Sequence, residues 1–166
     1  MPKEIEGKSA EEWSGDGNAS FSLKHYQEAI DCYENAVKID PKDKAILYRL
    51  GSCYFSLNNY QKAVDCYKKG VKIDSKFSFA WYGMGLAHHK LNNYQNAIKC
   101  YEKAIKIFHE NHIGFADFTI VWNNMGEAYS GLKKNQKAIE YYEKALEIDP
   151  NFEKAKNNLK FLAPKR

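Results

Sequence analysis

Residues 47–77 read LYRLGSCYFSLNNYQKAVDCYKKGVKIDSKF. Leu47, Leu50, Tyr54 and Leu57 fall at helical spacing, and Asn58 and Asn59 then interrupt the pattern. Ala63, Val64, Tyr67, Val71 and Ile73 follow on the broad apolar face of a second helix, which Asp74 and Ser75 end. One amphipathic pair standing alone would leave its apolar stripe in water. Identical pairs stacked side by side bury the stripe continuously, so the pattern predicts its own recurrence.

It does recur. Gly17, Gly51, Gly85 and Gly126 are separated by 34, 34 and 41 residues, and so are Ala29, Ala63, Ala97 and Ala138, and Tyr33, Tyr67, Tyr101 and Tyr142. Four copies are expected at 10–43, 44–77, 78–118 and 119–152, each a helix pair. Asp40-Pro41 and Asp149-Pro150 end the first and last copies. Residues 1–9 read as a flexible tail. Residues 153–166 read as a capping helix and tail, with Phe152, Ala155, Leu159 and Leu162 covering the last pair.

These residues resemble the tetratricopeptide (TPR) repeat, W-x2-L-G-x2-Y, A-x3-F, P over 34 residues. The matching strings are Leu47-x2-Leu50-Gly51-x2-Tyr54, Trp81-x2-Met84-Gly85-x2-His88 and Trp122-x2-Met125-Gly126-x2-Tyr129. The resemblance implies an all-α, right-handed superhelix, an α-solenoid whose first helices line a concave groove. It also implies a protein-binding adaptor or scaffold that holds extended peptides or single helices and has no catalytic activity of its own.

Composition narrows the classes further. Of 166 residues, 44% are hydrophobic and 28% charged, enough to bury a core. The net charge of +4 is spread over both signs, without the basic face that nucleic acid requires. No apolar run approaches the roughly 18 residues of a membrane span, and residues 1–20 hold acids and no apolar signal core. A cytoplasmic protein is expected.

Two copies depart from the pattern. In the first, Asp16 stands in the register of Leu50, Met84 and Met125, flanked by Gly15 and Gly17, as if a carboxylate faced the core. A partly solvated terminal repeat accounts for it; a phosphate-cradling Gly15-x-Gly17 loop lacks the preceding strand and following Lys. The third copy carries seven extra residues within IKIFHENHIGFADFTIV. The expected layout extends its second helix to about Glu110 and starts the next near Phe115, with Gly114 at the turn. Phe108, Ile113, Phe115 and Phe118 then pack together, or else protrude as an apolar knob for a partner or a second copy.

Chemistry has few candidates. Cys32, Cys66 and Cys100 recur at one register, roughly 8–10 Å apart on stacked helices, too far for a shared metal or a disulfide. His109 and His112 fall i, i+3 near Glu110 and Asp117, a pattern common by chance. His88 takes the motif's Tyr place and is expected to be a hydrogen-bonded core residue. The Asn18-Ala19-Ser20 sequon means little without a secretory signal. No enzyme activity, cofactor or metal is expected.

The groove is where binding is expected. Copy one contributes Asn18, and copy two Tyr48, Arg49, Ser52 and Phe55. Copy three adds Phe79, Tyr82, Leu86, His89 and Lys90, and copy four Asn123, Asn124 and Glu127. Aromatics would bury a ligand's side chains while amides and cations fix its orientation. The Arg49 fork suits a carboxylate. TPR co-chaperones that hold chaperone C-terminal carboxylates resemble this chain in length, but of the five clamp registers, which here hold Ser14, Asn18, Arg49, Phe79 and Gly83, only Asn18 matches. The partner is expected to be another protein; self-assembly into a homo-oligomer through the repeat ends or the 105–121 extension is the alternative.

Overall fold

The computed structural model describes residues 3–110 and 118–162. Among them are nine helices: α1 (Ala10–Ser22), α2 (Tyr26–Ile39), α3 (Lys44–Ser56), α4 (Tyr60–Ile73), α5 (Ser78–Lys90), α6 (Tyr94–Glu110), α7 (Phe118–Gly131), α8 (Asn135–Ile148) and α9 (Glu153–Leu162). Each odd-numbered helix from α1 to α7 packs on its successor, each even one packs on the next odd helix, and α9 packs on α8. The result is an α-solenoid, as the periodicity requires. Contacts α3–α5, α5–α7 and α7–α9 form its inner wall.

One local device ends every first helix. Lys24, Asn58, Asn92 and Lys133 take left-handed φ of 63°, 60°, 58° and 59°. The next amide then returns to the helix: His25 to Ser20, Asn59 to Tyr54, Asn93 to His88 and Lys134 to Tyr129, at 2.8–2.9 Å between N and O. A different device ends the second helices. The carboxylates of Asp40, Asp74 and Asp149 accept the amides of Lys42, Lys76 and Asn151 in turns. Phe108 occupies that register in the third copy, so nothing stops α6 there and it runs to Glu110. Phe108 and Phe118 are buried against each other edge-on, ring centres 5.8 Å apart, so these two rings form no exposed knob. Ile113, Gly114 and Phe115, with His112 and Asp117, lie outside the described residues.

The repeated glycines have a steric cause. A Cβ at Gly17, Gly51, Gly85 or Gly126 would lie 2.5–2.7 Å from the ring of Tyr33, Tyr67, Tyr101 or Tyr142, each in its own repeat. The tyrosine lies flat where the glycine side chain is missing. Gly70 differs: its added Cβ would meet only ordinary contacts, 3.7 Å from Lys44 O and 3.8 Å from Ala80 Cβ. Gly70→Ala should therefore stabilise the chain by about 1 kcal/mol through helix propensity, read as a higher thermal midpoint.

Asp16 is not in the core. This register faces solvent, where Asp16 pairs with Lys8 at 2.7 Å. Nor are residues 3–9 a loose tail. Ile5 and Lys8 exchange backbone hydrogen bonds, Trp13 Nε1 donates to Ile5 O, and Ser9 with Glu12 forms a capping box on α1. Trp81 packs against both buried clusters, one running from α2 to Cys100 of α6 and the other from α6 to α9.

His88 corrects the expectation of a hydrogen-bonded core residue: its Nδ1 is buried without a partner. Burial holds the imidazole below its ordinary range. The unfolded chain therefore takes up the proton first, so stability should fall as pH drops from about 6.5 toward the lowered folded value. Thermal midpoints measured from pH 7 to pH 5 should decline less in His88→Tyr, which restores the repeat residue.

Candidate functional site

The inner wall has two unlike halves. Between α1 and α3 backbone approach is sparse, and the gap is bridged by side chains. Asn18 Oδ1 accepts from Tyr33 Oη at 2.7 Å and from the exposed Arg49 Nη1. Beside this bridge a mostly apolar cavity of about 380 Å³ is lined by Phe21, Tyr33, Ala45, Tyr48, Arg49, Ser52 and Phe77. A second cavity of about 470 Å³ runs along α1 from Asn18 toward Glu11, Asp40, Asp43 and Lys3.

Tyr48 anchors this half. Its half-buried ring lies 5.5 Å from Phe77, 5.7 Å from Tyr67 and 6.5 Å from Phe79, centre to centre. Phe79 remains 47% exposed and rests its inner edge on Phe108. Ser52 is engaged internally, donating to Tyr48 O and sharing a hydrogen bond with Tyr67 Oη. Phe55 packs edge-on against Tyr60. No carboxylate among the described residues forms an ion pair with Arg49.

The second half is closed by polar links. Asn123 is fully buried and Asn124 only 5% exposed, so neither is the open groove amide the sequence suggested. Asn124 Nδ2 donates to Tyr82 Oη at 3.0 Å. Asn123 Nδ2 donates to Glu127 Oε1, while Asn158 Nδ2 of α9 donates to Asn123 Oδ1 and to Glu127. Lys154 Nζ reaches Glu127 at 2.9 Å. Burial alone would raise the Glu127 carboxyl, but Lys154 and the two amides hold it below the ordinary range. These polar residues fasten α9 onto α7. Leu86 and His89 are half-buried in the same half, His89 packed on Tyr94 with its imidazole pushed down by burial, and Lys90 is exposed.

Sequence reasoning left Phe77 and Tyr33 out of the site. An aromatic in a loop register just before a helix was the available signal for Phe77. Tyr33 was read as packing alone. The cysteines are free thiols; burial pushes Cys66 up to about 11 and Cys53 and Cys100 up to about 12. Among the described residues no group of three or more His, Cys, Asp or Glu could hold a metal, and no helix is long and apolar enough to cross a membrane. His109 stacks on Phe118 at 4.8 Å.

A tetratricopeptide repeat model matches residues 77–151, and a model of anaphase-promoting complex, cyclosome, subunit 3 matches residues 22–104. The chain belongs to the tetratricopeptide repeat family. The crystal structure of MamA is similar over 88% of this chain and 81% of that one, with 26% identity and a TM-score of 0.79. The Sgt2 TPR domain from Aspergillus fumigatus is similar over 81% of this chain and 82% of that one, with 27% identity and a TM-score of 0.61. The TPR2B domain of yeast Sti1, solved in a pHsp70 complex, shares the fold at 19% identity and a TM-score of 0.69, over 73% of this chain and 96% of that one. No curated protein matches the sequence. A TPR solenoid is a protein-interaction module, and the TPR register accounts for the tyrosine–glycine pairs described above.

Proposed function

We propose that this TPR protein is a noncatalytic adaptor that holds a peptide or helix of another protein in its concave groove, mainly against the first two repeats. The observation that carries this reading is the apolar cavity of Phe21, Tyr48 and Phe77 beside a guanidinium with no ion-pair partner among the described residues. Apolar burial supplies the affinity, and Arg49 with the free Nδ2 of Asn18 supplies direction. The working unit is residues 10–152, with α9 as its cap. A cytoplasmic location belongs to the same proposal, since four free thiols suit a reducing compartment.

A random displayed peptide library selected against the full chain tests this. Selected peptides, crosslinked back, should map to α1, α3 and α5, and Arg49→Ala should weaken them by more than about 1 kcal/mol, as loss of a charge-assisted bond does. Crosslinks confined to α2, α4 and α6 would overturn the groove reading.

Self-assembly is favoured by one observation: Phe161 on the terminal α9 is 86% exposed. Mass that grows with concentration in sedimentation, and stops growing in Phe161→Ser, would support it. A chaperone-tail clamp has less support. Asn18 alone fits the register.

A further inference from the structure

The two halves of the groove differ in what they leave unmet. The α5–α7–α9 half pairs its inward amides and the Glu127 carboxylate internally, through Tyr82–Asn124 and the Asn123–Glu127–Asn158–Lys154 cluster. The α1–α3 half does not. Arg49 engages Asn18 and the Tyr33 hydroxyl, and no carboxylate among the described residues forms an ion pair with it. Glu11 lines the neighbouring cavity with no ion pair either, whereas Asp43 in that cavity caps α3 and Asp40 closes its own turn. Among the described residues, Lys3 is the one cation on that cavity's wall. Along α1 and α3 the groove therefore presents an anion, Glu11, then a cation, Arg49, with the apolar cavity beside it.

Resting on the groove reading above, we propose that repeats 1 and 2 select their peptide by charge order. A large apolar side chain fills the cavity of Phe21, Tyr48 and Phe77. An acidic side chain beside it pairs with Arg49, and a basic residue points toward Glu11. Spacing follows from the helix. Glu11 lies seven residues before Asn18, about 10 Å along α1, and Asn18 is bonded to Arg49. In an extended peptide about three residues span that length. The acid belongs to a continuing chain rather than to a terminus, because the groove goes on past Arg49 to Phe21 and Ser52 in one direction and to the second cavity in the other.

Fluorescence anisotropy with two acetylated, amidated peptides tests the code. One is Lys-Ser-Gly-Glu-Leu-Phe-Ser, and the other exchanges its Lys and Glu. The first should bind the full chain roughly tenfold tighter, as a charge-assisted bond implies. The Glu11→Lys/Arg49→Glu double variant should prefer the exchanged peptide. That reversal is a gain of binding and cannot arise from misfolding. Equal affinity for the two peptides, binding of neither, or binding only when the terminal carboxylate is left free overturns the code. If library-selected peptides still crosslink to α1 and α3 in those cases, the groove reading survives; if they crosslink to the outer helices, both fail.

Discussion

Gly85→Val should cost about 3 kcal/mol of stability, at the upper end of what overpacking a filled core costs. Even a bare Cβ there would lie 2.5 Å from Tyr101 Cε1 and 3.2 Å from Cys100 Cβ. The ring has nowhere to go, because Tyr101 is fully buried. Gly15→Ala makes the control: nothing lies within 4 Å of its added Cβ, so helix propensity alone should stabilise by about 1 kcal/mol. Two helix glycines thus answer a larger side chain with opposite signs. Urea unfolding of both variants measures the difference, and a Gly85→Val chain as stable as the wild type would refute the ring-over-glycine account.

Tyr101→Ala should lose about 3–5 kcal/mol, the usual cost of deleting a large buried aromatic, yet Tyr101→Phe should lose nothing. The hydroxyl of Tyr101 is buried without a partner. Two of its counterparts are satisfied within their own repeats, Tyr33 by Asn18 and Tyr67 by Ser52, whereas Leu86 holds that register in the third copy. Removing an unpaired buried hydroxyl relieves a desolvation cost, while Tyr33→Phe should lose about 1 kcal/mol with its hydrogen bond. Matched thermal melts of the three variants settle the order. A Tyr101→Phe loss as large as that of Tyr33→Phe would mean the hydroxyl has a partner after all.

Much of the candidate site was hidden in the sequence for one reason. Groove positions were assigned by helical phase, and phase says which way a side chain points but not what stands opposite. Asn123 and Asn124 point inward as phase predicts, and α9 and Tyr82 then cover them. Asp16 points toward the place a preceding helix would fill, and meets Lys8 instead. Arg49 was legible as the groove cation, but its link to Asn18 and the cavity beside it depend on α1 and α3 lying side by side.

The sequence by itself determined the helices, their pairing and their stacking. Each rests on local information: a spacing of apolar residues, an aspartate or asparagine that closes a turn, and a period that repeats them. Even the long α6 could be read from phase and spacing, and the reason it continues is visible in the text, since Phe108 replaces the aspartate that stops the other second helices. Only the tertiary structure decided why glycine recurs opposite tyrosine, which inward polar groups are already satisfied, and which half of the groove stays open. Those depend on distances between residues far apart in the chain, and burial becomes a property of a side chain only once its neighbours are in place.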